Sequence, residues 1–304
     1  MKLFVATLDQ GSLAGAGRLL KRSPAAVSRA IAFLETQVGV ELLHRTTRSI
    51  RLSEAGERYA AACRRILTEL EEAEIAAVGE KAAPRGVLTL TAPPISGEDF
   101  LRPILDEFLD AFPTVSARLL LLDRNVSLVD EGVDIALRVA QLPDSALIAT
   151  RVGADVRRVV VASPAYLNRN APIATPADLA SHRIIAFSNF GLDSWSFAPA
   201  PGSTIPRSVS FTPRMVVNSV RSALASAIEG RGLTRLYSYH VAEEVKAGKL
   251  NVVLAGSEFP ALPIHLLTSP GRASVPKVRA FLDFAAPRLR EIFARLASDA
   301  RMLG

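Results

Sequence analysis

Residues 12–39 read SLAGAGRLLKRSPAAVSRAIAFLETQVG, and this stretch decides the fold of the N-terminal part of the chain. Ser12 is a suitable N-cap for a helix that runs to about Leu20. Two basic residues then form a turn. Ser23 caps a second helix whose first position is Pro24, where the missing N–H of proline costs nothing. The pattern predicts two short helices joined by a tight turn.

The second helix carries one apolar stripe and ends at Gly39, a residue that readily takes the left-handed conformation of a helix end. Four apolar residues at helical spacing are predicted to form the buried stripe: Val27, Ile31, Leu34 and Val38. Beyond the helix, residues 42–52 alternate charged and β-branched residues, which predicts a small hairpin. Inside the first helix, Gly15 and Gly17 each weaken helix propensity by about 1 kcal/mol.

The positive charge of the chain is concentrated at this end. The whole sequence has a formal net charge of +6, and residues 1–53 contribute +5 of it, with eight basic and three acidic residues. The basic residues are Lys2, Arg18, Lys21, Arg22, Arg29, Arg45, Arg48 and Arg51. A positive module on a nearly neutral body is typical of proteins that bind a polyanion, although an uneven solvated surface would give the same count.

Residues 53–79 predict one long helix with a heptad pattern. It starts at Ser53 with acidic residues in its first turn, and residues 82–86 break it. Apolar or small residues recur at alternating spacings of four and three: Tyr59, Cys63, Ile66, Leu70, Ala73 and Ala77. A single exposed helix is marginal in water, so the pattern favours dimerisation through this seam over packing on the chain's own body.

The rest of the chain alternates strand and helix patterns, as α/β domains do. Predicted strands cover residues 87–92, 116–122, 135–139, 157–162, 184–187, 209–211 and 252–254, and predicted helices cover 98–111, 219–229, 238–247 and 275–297. Strands separated by helices imply parallel sheets. Because this segment is long for one sheet, two subdomains with a cleft between them are expected.

An enzyme and an exported solute-binding protein are the alternatives to a polyanion-binding protein. The single cysteine, Cys63, rules out an internal disulfide framework, and the four histidines are scattered without metal-ligand spacing. We find no nucleophile–base arrangement, so neither catalysis nor a cofactor is expected. No apolar run is long enough to span a bilayer, and the N-terminus lacks a secretion signal, so a cytoplasmic protein is expected.

The N-terminal residues resemble those of LysR-type transcriptional regulators. The matching motifs run in order, without gaps, over more than fifty residues. They are Phe4-Val5-Ala6, Gly11-Ser12-Leu13, Leu19-Leu20, Ser23-Pro24-Ala25-Ala26-Val27-Ser28, Leu34-Glu35, Val38-Gly39-Val40, Leu42-Leu43, Arg45-Thr46-Thr47-Arg48 and Leu52-Ser53-Glu54-Ala55-Gly56. A looser similarity continues through Val133-Asp134-Ile135-Ala136-Leu137-Arg138 and residues 230–254. Each motif alone is weak, but the ordered set is specific.

This resemblance implies an N-terminal all-α winged helix-turn-helix, a long linker helix, and a C-terminal α/β sensor of two subdomains similar to periplasmic binding proteins. The expected domains are 1–53 for DNA binding, 54–80 for dimerisation, 81–86 as a hinge and 87–304 for effector binding. Subdomain I is expected at about 87–157 and 264–304, and subdomain II at about 158–263. The implied function is sequence-specific DNA binding modulated by a small-molecule effector. The implied partners are double-stranded DNA, further copies in a homodimer or homotetramer, and RNA polymerase.

In a helix-turn-helix, the second helix lies in the major groove with its N-terminal residues at the base edges. Here this predicts DNA contacts from Ser23, Ala25, Ala26, Ser28 and Arg29. Arg29 can read a guanine through two hydrogen bonds, Ala25 or Ala26 can touch a thymine methyl group, and the serines can anchor phosphates. An exposed arginine without DNA contact is the alternative for Arg29. On the hairpin, the predicted contacts to phosphate or the minor groove are Arg45, Thr46, Thr47 and Arg48.

Two predicted helix starts and one strand end supply the candidate effector site. The candidate contacts are Pro94, Ile95, Ser96, Arg138, Asn218 and Ser219. Helix N-termini present free N–H groups and a positive dipole, which suit a carboxylate. Ligands of open α/β sheets bind outside the carboxyl ends of the strands, and Arg138 lies at such an end. The prediction is an anionic or polar metabolite held by Ser96, Arg138 and Asn218. The alternative is that Ser96 and Asn218 are ordinary helix caps.

Overall fold

The computed structural model of the chain describes residues 1–45, 50–78, 83–124, 126–140 and 146–301. The fold class is the expected one, with a helical N-terminal unit and hairpin, a long helix, and a C-terminal α/β unit with two sheets. Among the described residues, no helix is both long enough and apolar enough to cross a membrane.

Three helices and a two-stranded hairpin form the N-terminal unit. The helices are α1 (Lys2–Gln10), α2 (Leu13–Leu19) and α3 (Pro24–Val38), and the antiparallel strands are β1 (Leu43–Arg45) and β2 (Ile50–Leu52). Both predicted caps are confirmed: the Ser12 hydroxyl accepts from the Gly15 N–H, and the Ser23 hydroxyl from the Ala26 N–H. The core of this unit includes Phe4, Ala16, Val27, Ile31, Leu42 and Leu43.

The predicted apolar stripe of α3 is confirmed for its first turns only. Val27 and Ile31 are buried, and Leu34 is partly buried against the same core. Val38 is 38% exposed, so its assignment to the buried stripe is wrong. The reason is that α3 ends there, the chain turns at Gly39 with φ 78°, and the last turn of the helix lies outside the core.

The long helix α4 (Glu54–Val78) begins where predicted, because the Ser53 hydroxyl accepts from the Gly56 N–H at 2.9 Å. Gly56 allows the helix to approach the hairpin closely. A Cβ atom at this position would lie only 2.1 Å from the Leu42 carbonyl oxygen. The start of α4 is therefore fixed against the N-terminal unit.

The predicted dimerisation seam of α4 is divided in two by the fold. Tyr59 and Cys63 belong to the chain's own N-terminal core, where Cys63 is 1% exposed and the Tyr59 ring lies 5.8 Å from that of Phe4. They are covered because α1 packs against this part of α4. Ile66 and Leu70 are each 44% exposed. The side chains of Ala73 and Ala77 lie outside the described residues.

The C-terminal unit begins at β3. The elements as far as the middle of this unit are β3 (Gly86–Ala92), α5 (Pro94–Ser96), a π-helical turn (Gly97–Leu101), α6 (Arg102–Ala111), β4 (Val115–Leu121), β5 (Ile135–Val139), β6 (Ile148–Val156), β7 (Arg158–Ala162), α7 (Pro164–Leu167) and a 3-10 turn (Pro176–Ser181). There follow β8 (Ile184–Phe187), β9 (Ser194–Phe197), β10 (Arg207–Ser210), β11 (Met215–Val217), α8 (Val220–Ile228), β12 (Leu233–Tyr237), α9 (Ser238–Lys246), β13 (Asn251–Val253), β14 (Leu262–Thr268), α10 (Pro270–Ala273) and α11 (Pro276–Arg301).

These elements build two five-stranded sheets, each with its own core. The first has the strand order β4-β3-β5-β14-β6 and packs against α6 and α11, through residues such as Leu90, Phe108, Leu266, Phe281 and Leu289. The second has the order β11-β8-β12-β7-β13. Helices α8 and α9 cover one of its faces and the hairpin of β9 and β10 covers the other.

Both sheets are mixed, so the prediction of parallel sheets is wrong in part. Strand β3 is parallel to β4 and β5, but β14 is antiparallel to β5 and β6. In the second sheet, β8 is parallel to β11 and β12, but β7 is antiparallel to β12 and β13. The chain passes from one sheet to the other directly between β6 and β7 and returns through β14. Strands joined without a helical crossover need not be parallel.

Candidate nucleic-acid interface and effector cleft

The start of α3 presents the predicted DNA-reading residues. Ser23, Ala25 and Arg29 are exposed, and Ala26 and Ser28 are partly buried. The buried stripe of the helix lies on its other side, so this face is directed away from the core. An exposed helix start offers N–H groups and a positive dipole end to a phosphate.

Basic residues that the sequence analysis did not assign to DNA lie beside this helix start. Arg18 lies in the last turn of α2, Lys21 and Arg22 lie in the following turn, and all three are exposed. Lys21 adopts the left-handed conformation with φ 52°. The charge count already included these residues, but only the packing of α2 on α3 shows that they border the predicted reading face. Their number and exposure suit phosphate contacts.

Glu35 joins the reading helix to the hairpin. One oxygen of its carboxylate accepts from the Leu42 N–H at 2.9 Å and from the Leu43 N–H at 3.0 Å. Hydrogen bonds to an ionised acceptor are stronger than those between neutral groups. Sequence analysis used Glu35 only as part of a motif, because helical spacing does not show that its side chain reaches amides beyond the helix end.

The hairpin that carries the predicted wing contacts is present, with Leu43 opposite Leu52 in the antiparallel pair. Arg45 ends β1, but its side chain lies outside the described residues, as do Thr46, Thr47 and Arg48. Their contact with DNA stays a prediction.

A cavity of about 180 Å³ lies between the two sheets. It is lined from the first-sheet side by Pro93, Asp123, Arg124, Arg138 and Val139, and from the second-sheet side by Arg158, Phe187, Asn189, Phe190, Tyr237, Tyr239 and His240. The two sides meet where the Asn189 side-chain amide donates to the Asp123 carbonyl at 3.0 Å. Several lining residues follow the carboxyl ends of strands, where open α/β sheets bind ligands.

Three arginines and one aspartate set the charge of this cavity. Burial lowers the pKa of Arg138, and the nearby Asp123 carboxylate opposes that shift. Burial raises the pKa of Asp123, and Arg138 opposes it in turn. The Arg158 Nε is buried and has no hydrogen-bond partner among the described residues. A positive cavity with an unsatisfied donor favours an anionic ligand.

Aromatic rings form the second-sheet wall of the cavity. Phe190 meets Tyr237 edge-on with ring centroids 4.8 Å apart, and Tyr239 stacks on Tyr237 at 5.7 Å. Burial lowers the pKa of His240 to about 3, so its ring is neutral at pH 7. Burial also raises the pKa of Tyr237 and of Tyr239, so both hydroxyls stay protonated. A planar apolar group fits such a wall.

Of the predicted effector residues, Arg138 lines this cavity, whereas Pro94, Ile95 and Ser96 are not among its lining residues. Ser96 is 1% exposed and its hydroxyl donates to the carbonyl of Pro93, which does line the cavity. Ile95 packs against apolar residues of the second sheet. The side chain of Ser96 is therefore placed to support the wall rather than to face the cavity.

The second predicted helix start lies farther from the cavity. Asn218 is exposed, and the Ser219 hydroxyl caps α8 by accepting from the Ser222 N–H at 3.4 Å. The two predicted helix starts nevertheless face each other, because Arg221 Nη2 lies 2.9 Å from Glu98 Oε2. The structure thus brings the two predicted loops together at the cleft, with Ser219 acting as a cap.

Most residues of the cavity lining were not predicted from the sequence. Tyr237 ends β12, and Tyr239 and His240 follow it. The hydrophobic pattern did not predict this strand because Thr234 and Arg235 interrupt it. Asp123 and Arg124 follow β4, which was predicted. The rule that pointed to Arg138 at a strand end would have found these two residues as well.

Descriptions of two protein families match the chain. "Bacterial regulatory helix-turn-helix protein, lysR family" matches residues 1–57, and "LysR substrate binding domain" matches residues 81–290. An HTH-type transcriptional regulator of Xanthomonas campestris is 36% identical over 290 residues, which cover 94% of this chain and 84% of that protein. The regulator CrgA of Neisseria meningitidis is 31% identical, with 95% of this chain and 96% of that protein covered.

Solved structures of full-length regulators share the fold. CrgA of Neisseria meningitidis, a LysR-type transcriptional regulator, superposes with a TM-score of 0.58 at 30% identity, covering 94% of this chain and 97% of that one. The Vibrio cholerae virulence activator AphB gives a TM-score of 0.60 at 25% identity, covering 93% and 96%. Both similarities span the helix-turn-helix and the two-sheet unit together. The chain therefore belongs to the LysR family of transcriptional regulators, whose members bind DNA and respond to a small-molecule effector.

Proposed function

We propose that this regulator responds to a small aromatic carboxylate bound in the cleft between its two sheets. The observation that carries the proposal is the cavity itself, where Arg124, Arg138 and Arg158 face a wall of aromatic rings. Arginine binds a carboxylate through paired hydrogen bonds, and the aromatic wall favours a ring. A cavity of about 180 Å³ suits one ring with small substituents.

Within this site, Arg138 and Arg158 would hold the carboxylate together with Arg124, whose side chain is 58% exposed at the opening of the cavity. Pro94, Ile95 and Ser96 would support the wall, and Asn218 and Ser219 would hold the opposing loop near the ion pair of Arg221 with Glu98. The effector would change DNA binding if it favours one arrangement of the two DNA-binding units over another.

At the other end of the molecule, α3 would enter the major groove. Arg29 would read a base edge, Ser23 and Ser28 would hold phosphates, and Ala25 or Ala26 would touch a thymine methyl group. The hairpin residues from Arg45 to Arg48 would contact phosphate or the minor groove. Arg29→Ala should weaken operator binding by about 1–3 kcal/mol and relax the preference at one base position. Uniform weakening on all sequences would instead make Arg29 a phosphate contact.

The assembly would be a homodimer or homotetramer on double-stranded DNA, acting with RNA polymerase in the cytoplasm. The domain boundaries would be 1–53, 54–80, 81–86 and 87–304. Within the last domain, subdomain I would cover about 87–157 and 264–304, and subdomain II about 158–263. The sheets support these two subdomains, since β7 to β13 build only the second sheet and the small hairpin, while the other strands from β3 onward build the first.

The effector proposal is tested by calorimetry on the full chain. Benzoate, salicylate and cinnamate are titrated, with benzyl alcohol as a ligand that keeps the ring and lacks the charge. We expect at least one carboxylate to bind and the alcohol not to bind. Arg138→Gln and Arg158→Gln should each weaken binding about tenfold or more, whereas Arg151→Gln, an exposed arginine outside the cavity lining, should not. Equal binding of acid and alcohol, or of wild type and both cleft variants, contradicts the proposal.

The DNA proposal is tested by fluorescence anisotropy with the fragment upstream of the protein's own gene, against a scrambled fragment, at two salt concentrations. We expect tighter binding to the native fragment, weakening as salt rises. Equal weak binding to both fragments would mean that the operator lies outside the tested fragment. No binding to either would contradict DNA recognition.

A further inference from the structure

Asp9 connects the DNA-binding unit to the effector-binding unit. It lies in the last turn of α1, where the helix dipole disfavours a carboxylate. Its two oxygens are held by arginines from two different elements: Arg64 of α4 at 2.9 Å and Arg118 of β4 at 3.4 Å. The Asp9 side chain is 24% exposed, so both pairs are partly shielded from water.

The turn between β4 and β5 lies against the same arginine of α4. A second cavity, of about 160 Å³, is lined by Asp9, Arg64, Arg118, Glu131 and Gly132 among others. Gly132 has φ 64°, and a Cβ atom there would lie 3.2 Å from the Arg64 Cδ, so the turn and the Arg64 side chain are in close contact. The charge of Arg64 also contributes to the lowered pKa of Glu131.

Glu131 is held at present by an arginine of the effector cleft. Arg124 donates from Nη1 to Oε1 at 2.7 Å and from Nη2 to Oε2 at 2.5 Å. These hydrogen bonds are the main reason why the pKa of Glu131 is lowered, so Glu131 is ionised at pH 7. Arg124 at the same time lines the cleft cavity. One arginine is thus shared between the effector site and a carboxylate next to the DNA-binding unit.

We propose that Glu131 is an exchangeable counter-ion that transmits effector binding to the DNA-binding unit. The inference rests on the proposed anionic effector. When a ligand carboxylate takes the guanidinium of Arg124, the Glu131 carboxylate loses its arginine partner, and Arg64, whose charge already acts on it, is a neighbouring cation. Glu131 then competes with Asp9 for Arg64. The contact of α1 with the effector-binding unit through Asp9, Arg64 and Arg118 weakens, and the DNA-binding unit is freed to change its position.

The test removes the positive charge of Arg124 by substitution, in the absence of any ligand. Hydrogen–deuterium exchange is measured on the full chain for the peptide that covers α1, in wild type, Arg124→Gln, Glu131→Gln and the double variant. Arg124→Gln removes the arginine partner of Glu131 and leaves the carboxylate charged, as a bound effector would. We expect it to speed exchange in α1 about two- to fivefold, the size of a partly exposed ion pair. In the double variant no charged carboxylate competes for Arg64, so exchange should return to the wild-type rate.

Arg102→Gln is the matched control, because it breaks an exposed arginine–aspartate pair of the same unit, with Asp106 at 2.7 Å, away from Asp9. It should leave α1 unchanged. The proposal is overturned if Arg124→Gln does not change exchange in α1, or if the double variant is as fast as Arg124→Gln. Because these variants need no effector, the outcome is independent of the calorimetry. If carboxylates bind but this exchange pattern is absent, the effector proposal stands and the proposed role of Glu131 is contradicted.

Discussion

Gly17 shows at the scale of one residue how packing overrides helix propensity. As a helix-interior glycine it weakens α2, yet it is buried where α2 meets the turn into α3. A Cβ atom at Gly17 would lie 2.6 Å from the Arg22 carbonyl oxygen. The glycine therefore permits the close approach of α2 to the turn that carries the exposed residues Arg22 and Ser23.

Gly17→Ala should accordingly destabilise the protein despite the better helix propensity of alanine. We expect a loss of about 1–3 kcal/mol in the free energy of unfolding, because backbone must shift to admit the methyl group. Urea unfolding followed by circular dichroism measures it. Gly256→Ala is the control, since a Cβ atom there has no neighbour within 4 Å. A stabilised Gly17→Ala variant would show that the helices separate at no cost.

His240 predicts a pH dependence of stability. Its folded pKa is lowered to about 3 by burial, whereas in the unfolded chain it is about 6.5. Below about pH 6.5 the unfolded chain binds a proton that the folded protein does not. The free energy of unfolding therefore decreases as the pH is lowered. From about pH 6.5 to 5.5 this effect should reach about 1 kcal/mol.

His240→Gln keeps a side-chain acceptor for the Tyr237 N–H, which His240 Nδ1 now accepts at 3.3 Å, and removes the titration. Urea titrations at several pH values should show wild type losing about 1 kcal/mol more than the variant over this interval. Above about pH 7.5 the two should have parallel pH profiles. Parallel profiles across the acidic interval as well would mean that burial does not lower the pKa of His240.

At the scale of elements, the reading helix and the wing act as one unit through Glu35. Its carboxylate is the shared acceptor for the Leu42 amide, which precedes β1, and the Leu43 amide, which begins it, so the hairpin position depends on a side chain of α3. Helix α4 is held against the residues that precede β1, because the Ser53 hydroxyl donates to the Glu41 carbonyl at 2.6 Å and Gly56 lies against the Leu42 carbonyl. Movement of α4 should therefore carry the hairpin with it.

Glu35→Ala should loosen the hairpin, because two partly buried hydrogen bonds to a charged acceptor are lost. Each such bond contributes about 1.5–3 kcal/mol to the free energy of unfolding. We expect amide exchange at Leu42 and Leu43 to become faster and DNA affinity to fall. Glu41→Ala is the control, because that side chain is 62% exposed and lies 3.5 Å from the similarly exposed His44 ring. Unchanged exchange at both amides in Glu35→Ala would show that the core of Leu42 and Leu43 holds the hairpin alone.

At the scale of the whole molecule, a second copy of the chain is expected to bind at the exposed apolar surface of α4. Tyr59 and Cys63 are already covered by the chain itself, so the proposed seam rests on the half of α4 that begins at Ile66. Two apolar side chains one helical turn apart, both nearly half exposed, are a small but typical part of a helix–helix interface.

The double substitution Ile66→Glu with Leu70→Glu should lower the mass of the assembly, because charged side chains would be forced into an apolar interface. Sedimentation velocity or light scattering measures this mass. Glu69→Gln, on the same exposed stretch, is the control and should not change it. Wild-type mass in the double variant would place the interface elsewhere on the molecule.

The sequence alone determined the features that depend on local physics. Caps at Ser12, Ser23 and Ser53, helix ends at glycine, and the alternation of strand and helix follow from propensities within a few residues, and the structure confirms them. The concentration of basic residues near α3 is likewise a property of the chain before it folds. These local signals, in their order, were sufficient to indicate the family and its DNA-reading helix.

Only the tertiary structure decided where distant residues meet. Arg124 follows β4, Arg158 begins β7 and Tyr237 ends β12. They share one cavity because two mixed sheets face each other, and no spacing along the chain encodes that. The same holds for the path from Arg124 through Glu131 and Arg64 to Asp9. Such contacts depend on burial and on the directions of the strands. A hydrophobic pattern does not reveal a strand that contains polar residues such as Thr234. Local sequence fixes elements, whereas the free energy of packing them selects the site.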